Sequence, residues 1–270
     1  MKNIKKFFLT MAMTMALGTS AFAASGFEFL LNVPFGMNVG IPKSAKNLVM
    51  DSGGSQPIGA DVGIDAQIGY MFQVKENLAI SVLGELGYSY DSYGFDYGAS
   101  DTISGVSYSY NISCKQSYHS FKLGLLPKFN IGVGNGAIAI GIGGGVKIPC
   151  SGKLKTRIGD ININGNNAGL EDKREIDITR KDITDTFSPS IIGYLKVTFD
   201  YYLFFTDNIA MNFGLYLGGD FGPNVKDLKI VTSKIPLLSP YNMPISKDSK
   251  IGANAFEIGL QIGFRYGLKA

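Results

Sequence analysis

Apolar residues return at every second position along most of this chain. The first series reads Phe27, Phe29, Leu31, Val33, Phe35, Met37, Val39 and Ile41, with Glu28, Leu30, Asn32, Pro34, Gly36, Asn38 and Gly40 between them. A helix repeats its apolar face every three or four residues, whereas a strand alternates faces, so this period predicts a strand. Seven further runs follow at 62–74, 78–90, 121–131, 138–148, 187–205, 209–221 and 256–268. Their connections alternate in length. Turns at about 75–77, 132–136 and 206–208 are tight, while segments at about 43–58, 92–116, 149–186 and 222–252 are long and polar.

Eight alternating strands with alternately short and long connections predict an all-β fold: an eight-stranded antiparallel up-and-down transmembrane β-barrel, with short periplasmic turns and long extracellular loops. A soluble sandwich would alternate its side chains but has no reason to alternate its loop lengths. The aromatic residues agree. With both termini in the periplasm, Phe27, Phe29, Tyr70, Phe72, Phe129, Phe205, Phe264 and Tyr266 fall near one rim. Tyr88, Tyr90, Phe121, Phe187 and Phe221 fall near the other, giving two girdles around an aliphatic band. Closure is expected because in lipid every backbone N–H and C=O has to be paired within the protein.

The start of the chain has its own pattern. Lys2, Lys5 and Lys6 precede an apolar stretch from Phe7 to Leu17, and Ala21-Phe22-Ala23 is a small-x-small cleavage sequence. This predicts a signal peptide over 1–23 and a mature barrel domain over 24–270 in the bacterial outer membrane. Composition fits: there are 35 Gly, 14 Tyr and 18 Phe, and the net charge of +3 is too small to suggest nucleic acid.

By this alternation over 26–268, and without a diagnostic motif, the chain resembles small bacterial outer-membrane β-barrel proteins of the outer-membrane protein A and protein X type. Such barrels usually end on an aromatic residue. This chain ends Phe264-Arg265-Tyr266-Gly267-Leu268-Lys269-Ala270, so either the terminal signal is shifted inward to Tyr266 or a variant of it operates.

If the apolar register faces lipid, the other register lines the lumen. It carries Glu28, Asp61, Asp65, Glu85, Asp220 and Glu257 as acids, with Lys122, Lys128, Lys147, Lys196 and Arg265 as bases. An eight-stranded barrel is just wide enough for side chains to fill it. These charges therefore form either an internal ion-pair network or the wall of a narrow pore. The small inward residues Ala137, Ala139, Gly141, Gly143 and Gly145 either open space on one wall or make room for long side chains.

Cys114 and Cys150 stand at the open ends of the fourth and fifth strands, and folding that hairpin about position 134 predicts a disulfide across the rim, given a bulge. The second loop carries Tyr93, Tyr97, Tyr108 and Tyr110, which suit adaptable recognition or extend the girdle. The third reads as a projecting hairpin around Asn164-Gly165. Lys226, Lys229, Lys234, Lys247 and Lys250 make the fourth mildly basic, a match for lipopolysaccharide or host glycans.

Chemistry is sparse. The glycine-rich stretch 132–147 lacks the spacing and following helix of a phosphate-binding loop. His119, the single histidine, lies near Ser117 and Ser120, with Glu85 and Asp91 on the next strand, but no nucleophile elbow is present. No His and Cys spacing suits a metal, and no cofactor is expected. The functional expectation is a non-enzymatic, monomeric surface protein embedded in outer-membrane lipid, with a structural or adhesion-type role through loops that meet a host or envelope ligand. The alternatives are a narrow porin and, more remotely, a lipid-modifying enzyme.

Overall fold

In the computed structural model, residues 25–43, 58–103, 105–167, 172–225 and 252–269 are described. Eight long strands form the wall: β1 (Gly26–Lys43), β2 (Gly59–Lys75), β3 (Leu78–Ile103), β4 (Val106–Leu125, continued by Lys128–Val133), β5 (Gly136–Ile163), β6 (Ile192–Phe204), β7 (Ile209–Val225) and β8 (Gly252–Tyr266). Pro127 supplies no N–H, and it interrupts β4 without opening the ladder. Leu126 N donates to Leu83 O at 2.8 Å and Ile142 N donates to Pro127 O at 3.1 Å.

Each strand is antiparallel to its sequence neighbour. The ring closes where β1 pairs β8, from Phe29 opposite Tyr266 to Lys43 opposite Gly252. The tight turns sit where the polar breaks predicted them. Asn77 (φ 62°) and Gly134 (φ 54°) take the left-handed conformation that such turns require.

The wall is apolar outside and polar inside. Leu125, Ile142, Leu86 and Leu195 are 64, 61, 60 and 59 % exposed, whereas Arg265 and Lys128 are fully buried. Exposed apolar side chains cover the outside from rim to rim, a surface no water-soluble protein sustains. No helix of the described residues is long and apolar enough to cross a membrane. The strands cross instead, and both outer aromatic rims are in place through Phe27, Phe129, Phe205 and Phe264 at one end and Tyr88, Phe121 and Phe221 at the other.

Beyond the membrane the wall continues as a tall β-extension. β3 and β4 stay paired to Ile103 opposite Val106. β5 continues alongside β4 to Ile163, turns at Asn164-Gly165, and is met by a returning strand, Asp172–Thr179, which pairs with 151–158. The expected hairpin is therefore present, but it is fused into the wall through β5. A helix, α1 (Arg180–Thr186), follows, started by a capping box between Thr179 and Asp182. The sixth strand starts at Ile192, later than its alternation suggested. Phe187–Ser188 pairs instead with Asn224 and Val225 of β7, and Phe187 packs with the residues at the mouth and does not extend the lipid-facing girdle.

Candidate functional site: the filled lumen and its mouth

Alternation places one side chain in two inside the ring, and the inward register is where the chemistry lies. At the periplasmic end Leu30, Leu83, Tyr202 and Phe204 pack together inside the barrel. Through this layer runs an ion pair between Arg265 Nε and Glu28 Oε1 at 2.6 Å, with both side chains fully buried. The guanidinium lies over the rings of Tyr202 (4.6 Å) and Phe204 (5.2 Å) and donates to Leu268 O at 3.0 Å. Ser81 donates to the other Glu28 oxygen. Beside this pair, Lys128 Nζ meets Asp200 Oδ2 at 2.9 Å, and Gln261, Asn212 and Thr198 donate to the same carboxylate.

The middle layer is also balanced. Lys122 reaches Asp65 (2.9 Å), and Lys196 reaches Glu85 (2.7 Å) and Asp65 (3.3 Å), while Tyr194 and Gln67 donate to Glu85. Tyr194 comes from β6 and Glu85 from β3, so this contact crosses the lumen. Glycine makes the crossing possible: a Cβ at Gly124 would collide with the Tyr194 hydroxyl, and one at Gly36 would lie 2.6 Å from that of Tyr216. Gly141 likewise lies under Lys128. Of the small inward residues of β5, Gly141 makes room for Lys128 and Thr198, whereas Gly143 and Gly145 lie against the β4 backbone at Leu125–Leu126 and Leu123–Gly124.

The upper layer differs. Lys147 Nζ is held by Asp91 (3.0 Å), Asp220 (2.7 Å) and Glu257 (2.5 Å), and Asp61 stands beside them, accepting from Tyr216. Four carboxylates thus face one ammonium. Above them Tyr93, Tyr118 and Ala255 pack with Ile183 of α1, which is 1 % exposed. Arg180 ties the helix to the wall by donating to Pro149 O (3.0 Å) and Ser190 O (2.7 Å). Among the described residues this apolar cluster caps the upper layer at the extracellular end.

The nine lumen charges named from sequence, Glu28, Asp65, Glu85, Lys122, Lys128, Lys147, Lys196, Glu257 and Arg265, all lie inside and all take part in this network. Asp200 belongs to it too, although the sequence reading leaves it out. Asp91 is a Lys147 ligand inside the lumen instead of a rim carboxylate near His119.

Two expectations are corrected. Tyr93 is no free loop residue but part of the cap, 5 % exposed. The backbones of Tyr97, Tyr108 and Tyr110 belong to the β3–β4 extension, and their side chains lie outside the described residues. The rim disulfide does not form. Cys114 stands opposite Thr156, whereas Cys150 sits in a bulge between the partners of Ser120 and His119, five residues down the strand. At about 3.3 Å per residue the two Cα atoms are roughly 17 Å apart, against a limit of about 7 Å for a disulfide. Cys150 is a free thiol.

His119 faces outward, where Nδ1 lies 2.5 Å from Tyr88 Oη and the ring packs on Tyr90. Ser120 points the other way, into the lumen, and is fully buried, so the two form no catalytic pair. The basic fourth loop and the N-terminal segment lie outside the described residues. Outside the membrane, Lys153 bonds Glu175 at 2.8 Å, and Lys155 bonds it at 2.9 Å. Their hydrogen bonds hold the Glu175 carboxyl below its ordinary value.

The chain is an integral, outer-membrane-type β-barrel. Comparison with solved structures finds the same kind of architecture. Neisserial surface protein A is 9 % identical, with 90 % of this chain and 99 % of that chain covered and a TM-score of 0.30. The outer membrane protein OprG from Pseudomonas aeruginosa is 10 % identical over 92 % and 98 %, with a TM-score of 0.35. The attachment invasion locus protein Ail of Yersinia pestis, in complex with the heparin analogue sucrose octasulfate, is 11 % identical over 89 % and 99 %, with a TM-score of 0.26. No family model matches the sequence, and no curated protein matches it.

Proposed function

We propose that this is a non-conducting outer-membrane protein with a structural and interaction role at the cell surface, exported by a signal peptide over residues 1–23. The filled lumen carries the reading. Lys128, Lys147 and Arg265 are among the largest fully buried side chains of the molecule, so long charged side chains held in internal pairs fill the lumen among the described residues. Apolar layers close the periplasmic end and the mouth. What remains to meet the outside is the β-extension, built from β3, β4, β5 and Asp172–Thr179. It projects a paired, charged surface through Lys153, Lys155, Glu175 and Asp177. Its continuous backbone pairing suits a docking platform for an envelope or host ligand.

The test is conductance of the purified, refolded barrel in a planar lipid bilayer. Insertion without steps is expected. Stable, reproducible single-channel steps would replace this reading with that of a narrow porin.

A further inference from the structure

We infer that the upper lumen layer is a binding site for a divalent cation of the calcium type, held beneath the cap by Asp61, Asp91 and Glu257. The first observation is a local imbalance of charge. The periplasmic layer sets Arg265 and Lys128 against Glu28 and Asp200, and the middle layer sets Lys122 and Lys196 against Asp65 and Glu85. The upper layer alone sets four buried carboxylates against Lys147. Buried charge without a counter-charge is costly enough that something has to neutralise it.

Geometry adds a cradle. One oxygen from each of Asp61, Asp91 and Glu257 lies within 4.8 Å of the others, a spacing that a hard cation can bridge. Lys147 engages a single oxygen of each of its three partners, which leaves Asp220 and Glu257 a second oxygen, while the second oxygen of Asp91 accepts from Ser89 Oγ at 2.8 Å.

An independent observation points to a ligand. Asn38 faces the lumen directly across the strand from Glu257, is fully buried, and has a partner for neither its amide nitrogen nor its amide oxygen. Asp220 Oδ1 in the same layer is also unpartnered. Buried polar groups are nearly always satisfied, and an orphaned amide oxygen beside surplus carboxylates is what an oxygen-liganded ion would explain. Calcium takes six to eight oxygens in flexible geometry, whereas magnesium demands a near-ideal octahedron and keeps its waters. A crowded pocket of buried carboxylate and amide oxygens therefore favours calcium. The site is separate from the proposed surface role and does not depend on it.

Terbium luminescence tests this directly. The chain has no Trp, and Tyr216, bonded to Asp61, is placed to sensitise a bound terbium ion. The refolded barrel in lipid-free detergent should show saturable emission, displaced by calcium in preference to magnesium. The apparent calcium dissociation constant is expected at roughly 10⁻⁴ to 10⁻³ M, the range of extracellular calcium modules. Asp61→Asn and Glu257→Gln should each weaken binding by about tenfold or more, the scale of losing one charged ligand contact. Asn38→Leu removes no charge and keeps the test readable where a carboxylate variant fails to fold; it should weaken binding several-fold. Absence of saturable emission, terbium emission that calcium does not displace, or equal emission in every variant that folds would overturn the assignment and leave protons as the neutralising species.

Discussion

Removing the Glu28 carboxylate should strand a charge that the protein has no means of discharging. Arg265 keeps its proton under all ordinary conditions, so in Glu28→Leu the guanidinium stays ionised in a site of zero exposure. It loses the 2.6 Å bond at Nε and retains one backbone acceptor, Leu268 O, and the faces of Tyr202 and Phe204. Its Nη1 has no partner to begin with. Breaking one side of a buried pair costs about 3–5 kcal/mol, and the two aromatic faces already contribute in the wild type, so they offset none of it. The expected loss is therefore about 3 kcal/mol or more, on the order of a hundredfold in the unfolding equilibrium. Glu28→Leu combined with Arg265→Met removes both charges and leaves apolar side chains against Leu30 and Phe204. That double variant should return to within about 1 kcal/mol of wild type. The assay is urea unfolding in lipid vesicles, followed by tyrosine fluorescence and far-ultraviolet circular dichroism. A loss below about 1 kcal/mol in the single variant, or a double variant no better than the single, would show that water reaches Arg265 and that the lumen is not sealed.

Other consequences are simpler to check. Cys150 is free and Cys114 is five residues out of step with it, so mass spectrometry of unreduced protein should find both thiols reactive to a maleimide, and a gain of two hydrogens on reduction would contradict the register. Glu175→Gln should leave global stability unchanged, because its pairs with Lys153 and Lys155 are half-exposed and stand outside the barrel. Since these pairs hold its carboxyl low, any contribution is present at neutral pH and lost as pH falls through the carboxylate range. A gap between variant and wild-type unfolding midpoints at about pH 7 that closes toward pH 3 would show that the extension supports the barrel.

Alternation made the wall and its inside legible because one choice of register fixes the face of every residue in a strand. The nine lumen charges follow from that choice alone. Asp200 was equally legible, since it shares the inward register of Lys196 and Thr198. The choice of partner was not. Glu28 and Arg265 are 237 residues apart, and Asp65 and Lys122 are 57 apart. Which acid meets which base depends on strand stagger, and alternation within a strand carries no information about stagger. The disulfide expected between Cys114 and Cys150 fails for the same reason. The turn falls between Val133 and Gly136, slightly beyond the centre that would align the cysteines, and each residue of displacement at a turn moves the facing pair by two. The cap was hidden for another reason: a seven-residue helix with one buried Ile183 has too few turns to show a periodic face.

The network also bears on whether such a lumen could open. Lys147 on β5 reaches Asp91 on β3, Asp220 on β7 and Glu257 on β8, while Lys196 and Tyr194 on β6 reach Glu85 on β3. These bonds join walls that are not neighbours in the ring, so they act as cross-braces inside it. A water path from end to end would have to part the Arg265 layer, the Lys122 and Lys196 layer and the Lys147 layer together, each at a cost of a few kcal/mol. Partial opening gains little, because a breach in one layer still meets a closed one above or below. The closed state proposed above is thus braced by three layers of internal bonds. The upper layer is surplus in acid, and among the described residues it lies beneath the cluster of Ile183, Tyr93, Tyr118 and Ala255, with Ile178 and Phe187 packed against it, so a small ion arriving from outside meets this apolar barrier before the carboxylates.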